Sequence, residues 1–134
     1  MGDANGHVLI VDDDGIQHVV LEAVLSEHGY SMHSAYSGFE AMDALEQHCV
    51  DIVILDIEMP GMGGLEALAR IRRDYPHMPV IMASGVTHAD MIAEVLRAGA
   101  TAFVSKPVSF GRLVSIIEHE LGRSAQKRAR TGCN

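Results

Sequence analysis

The chain alternates between two kinds of segment, and this alternation constrains its fold more than any other feature. Short, mostly apolar runs rich in β-branched residues stand at 8–11, 50–55, 79–83 and 102–104, with a weaker one at 30–35. Runs of this kind suit strands buried on both faces, as in a parallel sheet. A helical pattern follows each of them. The first carries Val19, Val20, Val24 and Leu25 and is closed by Gly29. The second opens on a capping box of Ser37 and Glu40 and continues through Ala41, Ala44 and Leu45. The third spans 65–75 with Leu65, Leu68 and Ile71 on one face. The fourth carries Met91, Ile92, Val95 and Leu96, with Thr87 as its cap and Gly99 as its stop. The last begins at Ser109 and turns Leu113, Val114, Ile117 and Leu121 inward. Residues 59–64 hold Pro60 and three glycines and read as loop. Five strands, each followed by a helix, imply a doubly wound α/β domain: a five-stranded parallel sheet with helices on both faces and right-handed crossovers.

Length and charge narrow the setting. A chain of 134 residues suits one domain with a core of its own. The expected division is a flexible N-terminus at 1–6, a domain at 7–121 and a basic, disordered tail at 122–134 holding Arg123, Lys127, Arg128 and Arg130. A net charge of −8 argues against direct nucleic-acid binding by the body of the domain. No apolar run approaches the roughly 18 residues of a membrane span. The N-terminus lacks the apolar region of a signal peptide. Two cysteines, Cys49 and Cys133, form no metal-type pair, so a reducing, cytoplasmic location is expected. The eight histidines are scattered without metal-ligand spacing and read as surface residues.

The polar residues with chemical potential fall at one edge of this scaffold. In an open parallel sheet, ligands bind beyond the carboxyl ends of the strands. The first strand runs into Asp12, Asp13 and Asp14; the third ends at Asp56, the fourth at Ser84, and the fifth leads to Lys106 and Pro107. Carboxylates brought together there repel one another unless a cation joins them, and Mg²⁺ prefers one or two carboxylates plus water and phosphate oxygens. A hydroxyl and an ammonium complete a site for a phosphoryl group, and a carboxylate can accept one as an acyl phosphate. Asp14 reads as the residue that starts the first helix.

Four segments, VLIVDDD at 8–14, DIVILDIEMPGMGG at 51–64, PVIMASG at 79–85 and GATAFVSKP at 99–107, stand in an order and spacing that resemble the response-regulator receiver family. The resemblance covers roughly residues 7–121. It implies a flavodoxin-like (βα)5 fold with strand order 2-1-3-4-5, which alternation alone does not give. It implies Asp56 as phosphoacceptor, and Asp13, Asp56 and the backbone carbonyl of Glu58 as Mg²⁺ ligands, with Asp12 acting through water. Ser84 and Lys106 then bind the phosphoryl group, Ser84 and Phe103 form the switch, and the Lys106–Pro107 bond is cis. The implied donor is a histidine kinase or a phosphotransfer protein. The implied output is a changed affinity for a downstream protein or output domain through the fourth helix, fifth strand and fifth helix, a surface that also suits homodimerisation. Self-phosphorylation and autodephosphorylation would be its only reactions, so it is not expected to be an enzyme in the ordinary sense.

Some positions depart from the commonest pattern of that family: Ser84 for threonine, Gly85 for alanine, Phe103 for tyrosine and Gly63 for an aspartate that would cap the third helix. Two rival readings exist. VDDDG also resembles the first motif of haloacid-dehalogenase-type phosphatases, with Asp12 and Asp14 as the catalytic pair. That reading needs an acidic pair soon after Lys106, where the sequence offers only Glu118 and Glu120, and it leaves Asp56 without a role. A receiver-like module that is never phosphorylated is the other. It gives no reason to keep Asp12, Asp13, Asp56, Ser84 and Lys106 together.

Overall fold

A computed structural model describes residues 5–131, with side chains through residue 122. The elements are β1 Gly6–Val11, α1 Gly15–Glu27, β2 Tyr30–Ala35, α2 Gly38–Gln47, β3 Ile52–Asp56, α3 Gly64–Asp74, β4 Val80–Ser84, α4 Ala89–Arg97, β5 Ala102–Ser105 and α5 Phe110–Thr131. All strand pairs are parallel, in the order β2-β1-β3-β4-β5.

The sheet separates two cores. On one face Leu9, Val11, Val53, Leu55, Val80 and Met82 pack with Leu45, Leu68, Ile71 and Val95 from α2, α3 and α4. On the other, Val8, Ile10, Ile52, Ile54 and Ile81 pack with Leu21, Leu25, Leu113 and Ile117 from α1 and α5. Alternate residues of each central strand feed opposite cores, which is why these strands lack a polar face. Each fully buried aliphatic side chain contributes roughly 1.5–3 kcal/mol.

Several expected details require correction. The buried stripe of α1 is His18, Leu21 and Leu25, whereas Val19 and Val20 are exposed. Placing every histidine on the surface displaces this stripe by one position. Thr87 does not cap α4: His88 is the N-cap and offers no side-chain hydrogen bond. Leu96 is exposed and only Val95 of α4 is fully buried. The helix α5 runs to Thr131; the run Ser124 to Arg130 contains no helix breaker. At the other end, β1 begins at Gly6, and the Asn5 N–H donates to Gly29 O at 2.8 Å. Residues 1–4 and 132–134, Cys133 among them, lie outside the described residues.

Other local signals act as expected. The Ser37 side chain accepts from Glu40 N–H at 3.1 Å, and Glu40 Oε1 accepts from Tyr36 N–H at 2.8 Å. Gly29 follows α1 at φ +86°, a left-handed conformation that glycine adopts without strain.

Gly64 controls the loop after β3. A Cβ there would lie 2.3 Å from Asp56 O and 2.5 Å from Ile57 Cα, both backbone atoms. Only a residue without a side chain allows α3 to start this close to the end of β3. Gly64→Ala is therefore expected to destabilise the domain by roughly 1–3 kcal/mol. Urea denaturation of the variant within experimental error of the parent would contradict this role for the glycine.

Candidate functional site at the carboxyl edge of the sheet

The register of the sheet assembles the site. Val11 pairs with Leu55, so the next residues of both strands, Asp12 and Asp56, stand side by side. Asp56 pairs with Ala83, which puts Ser84 one step further along β4. Ser84 pairs with Ser105, so Lys106 follows at the same edge. Single hydrogen bonds continue the ladders past the strand ends: Asp12 N–H to Ala35 O, Ile57 N–H to Ala83 O and Lys106 N–H to Ser84 O. The functional side chains thus extend from a rigid sheet, and the loops only complete the site.

One carboxylate oxygen each from Asp12, Asp13 and Asp56 lies within 4.8 Å of the others. This is the only such group of potential metal ligands among the described residues. Asp12 and Asp56 are 3% and 4% exposed, and Asp13 faces solvent. Lys106 Nζ donates to Asp12 Oδ2 at 2.9 Å and forms an ion pair with Asp56 Oδ1 at 3.1 Å. Asp12 Oδ1 accepts from Asp14 N–H at 2.9 Å. The Lys106–Pro107 bond is cis.

The electrostatics are unbalanced. Three carboxylates and one ammonium leave two negative charges in a largely buried cluster. Burial first, and then the charge of Asp12, push the Asp56 pKa up to about 6, while Lys106 and a backbone hydrogen bond at Glu58 pull it partly back. Burial alone would lower the Lys106 pKa, but the hydrogen bond that it donates to Asp12 and the charges of the Asp12 and Asp56 carboxylates raise it, so the ammonium is held charged. Asp56 Oδ1 is buried and receives no hydrogen bond of acceptable geometry despite the nearby ammonium. An orphaned anionic oxygen, two further carboxylates within 4.8 Å and a surplus of two negative charges fit a hard divalent cation bound through oxygen.

The remaining expected residues are also near this edge. Ser84 is fully buried; its hydroxyl accepts from Val86 N–H at 2.9 Å and donates to Glu58 Oε2. Phe103 is partly buried against the core on the α2–α4 side, and its carbonyl accepts from Arg112 Nη2 at 3.2 Å. Asp14 is exposed and caps α1, its side chain accepting from Ile16 N–H at 3.0 Å. It stands outside the carboxylate cluster, which removes the second member of the pair that a dehalogenase-type phosphatase would need. Gly63 is the N-cap of α3 and provides no side-chain hydrogen bond.

Sequence reasoning misses two features. His18 is buried, with Nε2 2.7 Å from Asp12 O and Nδ1 3.0 Å from Ser34 Oγ. A carbonyl only accepts, so Nε2 carries the proton and Nδ1 accepts from the serine. His18 thereby ties the acidic loop to β2, and Tyr36 covers its ring at 4.2 Å. Its spacing to Leu21 and Leu25 is the available signal. The second is the side-chain contact between Glu58 and Ser84. It has no sequence signature, because it joins an irregular loop to the end of a strand 26 residues further on. Elsewhere His7, His33 and His48 stack, with centroids 5.7 and 4.2 Å apart; burial, then the neighbouring rings, lower the His33 pKa.

Comparison with known proteins bears on the family and the fold. Residues 8–118 match the family model of the response regulator receiver domain. The transcriptional regulatory protein ZraR of Salmonella typhimurium is 31% identical over 122 residues, which cover 91% of this chain and 28% of that protein. A protein-glutamate methylesterase/protein-glutamine glutaminase of Trichodesmium erythraeum is 39% identical over 116 residues, covering 84% of this chain and 33% of that one. The chain thus spans no more than about a third of the length of these curated relatives. Among solved structures, a CheY-like receiver domain protein of Methanospirillum hungatei superposes with a TM-score of 0.84 at 29% identity, covering 91% of this chain and 98% of that one. NtrX of Brucella abortus also gives 0.84, at 30% identity, with 94% of this chain and 29% of that one covered.

Proposed function

Because the chain belongs to the response regulator receiver domain family, we propose that Asp56 accepts a phosphoryl group from the phosphohistidine of a histidine kinase or phosphotransfer protein. The observation that carries this reading is the buried Asp56 Oδ1, free of hydrogen bonds and 3.1 Å from the Lys106 ammonium. It is a carboxylate nucleophile beside a positive charge that can offset charge on the transferred oxygens.

In the reaction, an Asp56 carboxylate oxygen attacks phosphorus in line, an O–P bond forms and the P–N bond to the donor imidazole breaks. The electron pair stays on that imidazole, and the product is an acyl phosphate. Lys106 neutralises a phosphoryl oxygen, and Ser84 turns its hydroxyl to another. Mg²⁺, held by the Asp13 and Asp56 carboxylates and the Glu58 backbone carbonyl, with Asp12 acting through water, would supply further positive charge against these oxygens. Phe103 then follows Ser84 inward, and the surface of α4, β5 and α5 changes its population between two states. That surface would act on a downstream protein or output domain and would suit homodimerisation. The domain's own chemistry is then limited to gaining and losing the phosphoryl group. Among the described residues no helix is long and apolar enough to cross a membrane, and we infer a cytoplasmic site of action without direct nucleic-acid contact.

Intact-protein mass after incubation with Mg²⁺ and acetyl phosphate tests the reading. Gain of one phosphoryl group that Asp56→Asn abolishes is the expected result. A gain that survives Asp56→Asn would overturn it.

Cation binding should depend on pH. A proton and the cation compete for Asp56, whose pKa in the cation-free protein is about 6. Below that pH the apparent Mg²⁺ affinity should fall, approaching roughly tenfold per unit. The chain has no tryptophan, so titration calorimetry is the suitable measurement. Equal affinity at pH 5 and pH 7 would exclude Asp56 as a ligand that titrates in this range.

A further inference from the structure

The hydroxyl of Ser84 is fully engaged without any phosphoryl group. It accepts from Val86 N–H at 2.9 Å and donates its only proton to Glu58 Oε2. One hydroxyl proton cannot serve the Glu58 carboxylate and a phosphoryl oxygen together. The present acceptor is ionic, so this bond is charge-assisted and stronger than a bond between neutral groups. Ser84 itself is fully buried and Glu58 is exposed. The carboxylate can therefore leave for water, whereas the hydroxyl can only exchange one nearby partner for another. Glu58 also lies two residues after Asp56, in the loop that follows β3, so negative charge added to Asp56 would repel the very group that competes for the proton.

We propose that the Glu58 side chain is a positioning residue that holds Ser84 in its unphosphorylated arrangement, a latch that phosphorylation must release. This rests on reading Asp56 as the acceptor and Ser84 as the hydroxyl that follows it. Glu58 then has two separate roles: its backbone carbonyl serves the cation, and its carboxylate opposes the switch. The latch raises the free energy needed to reach the active state and so lowers the fraction of active protein at a given phosphodonor level.

The test is a double-mutant cycle on the binding of beryllofluoride, an acyl-phosphate mimic, in saturating Mg²⁺. The four proteins are the parent, Glu58→Ala, Ser84→Ala and the double variant. With Ser84 present, Glu58→Ala should tighten binding by roughly tenfold, the scale of one charge-assisted hydrogen bond. In the Ser84→Ala background the same change should have less than about a twofold effect, because nothing remains to be latched. Equal tightening in both backgrounds would mean that Glu58 acts only through its charge and would overturn the latch. No tightening in either would overturn it also. A parent that binds no beryllofluoride, or binds it equally well as Asp56→Asn, would instead remove the phosphoacceptor reading on which the latch depends. A second readout observes the variant itself without cation or mimic and takes only its reference positions from the mimic-bound parent. In Glu58→Ala the amide resonances of Gly85 and Val86 should move toward their positions in the beryllofluoride-bound parent, and unmoved resonances would count against the latch.

Discussion

Asp56→Asn will take up no phosphoryl group, and without divalent cations it will be more stable than the parent at neutral pH. The two results share a cause. The carboxyl that makes Asp56 a nucleophile is buried and close to Asp12, and the 3.1 Å ion pair with Lys106 offsets its charge only in part. Its pKa in the folded chain is about 6, against an ordinary value of 3.8. Between those values the folded state holds a proton that the unfolded state has lost, so stability declines as pH rises through that window. Above about pH 6 the full penalty applies. A shift of about two units sets an upper limit near 3 kcal/mol, and relaxation and entering water reduce it to roughly 1–2 kcal/mol. The amide does not ionise and avoids the penalty. Thermal unfolding in chelator should therefore show a gap in favour of the variant at pH 7.5 that closes toward pH 4. A gap that widens toward low pH would reverse the sign and refute burial of the charge as the cause.

Lys106→Met should have the opposite effect on stability while also impairing phosphorylation. Methionine keeps most of the apolar stem and removes the ammonium. Asp12 loses its 2.9 Å partner and Asp56 its 3.1 Å ion pair, leaving two buried carboxylates without the cation that faces both. Removing one partner of a fully buried pair costs about 3–5 kcal/mol. Here the lysine side chain is 25% exposed, so a loss of roughly 1–3 kcal/mol at neutral pH is expected. The Asp56 pKa should rise further, because Lys106 is one of the groups that lower it. The rate of phosphorylation by acetyl phosphate should fall by roughly a hundredfold or more, the scale seen when one charge-stabilising donor is removed. Combining Lys106→Met with Asp56→Asn should restore part of the lost stability, since the most perturbed carboxylate has then been neutralised. Phosphorylation of Lys106→Met within a few-fold of the parent would show that this ammonium does not face the transferred group.

The two substitutions separate what the site gains in function from what it loses in stability. A conventional core would place no three carboxylates at one sheet edge. The cluster is tolerated because it lies where the strands end, with solvent at Asp13 and one ammonium inside.

Much of the fold and of the candidate site is legible in the residues alone. The central strands are continuous apolar runs because both of their faces are buried, and a strand with one face in water would alternate instead. Asp12, Asp56, Ser84 and Lys106 stand at or just past the ends of these runs, so locating the strand ends also locates the site. Periodicity puts the first helix one position out of phase because His18 is a polar residue in an apolar stripe, and its reason for being there, a bond to the Asp12 carbonyl, lies across space. The cap of α4 falls on His88 and not on Thr87 because both stand in a loop whose path depends on tertiary contacts. The extent of α5 is not legible because a basic, alanine-containing run is compatible with either helix or coil.

By itself the sequence determined the order of elements, the two-sided burial of the sheet and the residues that meet at its carboxyl edge, since these follow from local periodicity and from where each apolar run stops. Only the tertiary structure decided the raised pKa of Asp56, the pairing of Lys106 with both Asp12 and Asp56, and the engagement of Ser84 by Glu58. Each of these depends on distances between groups far apart in the chain and on how much water reaches them, and neither quantity is written in the periodicity of any single segment.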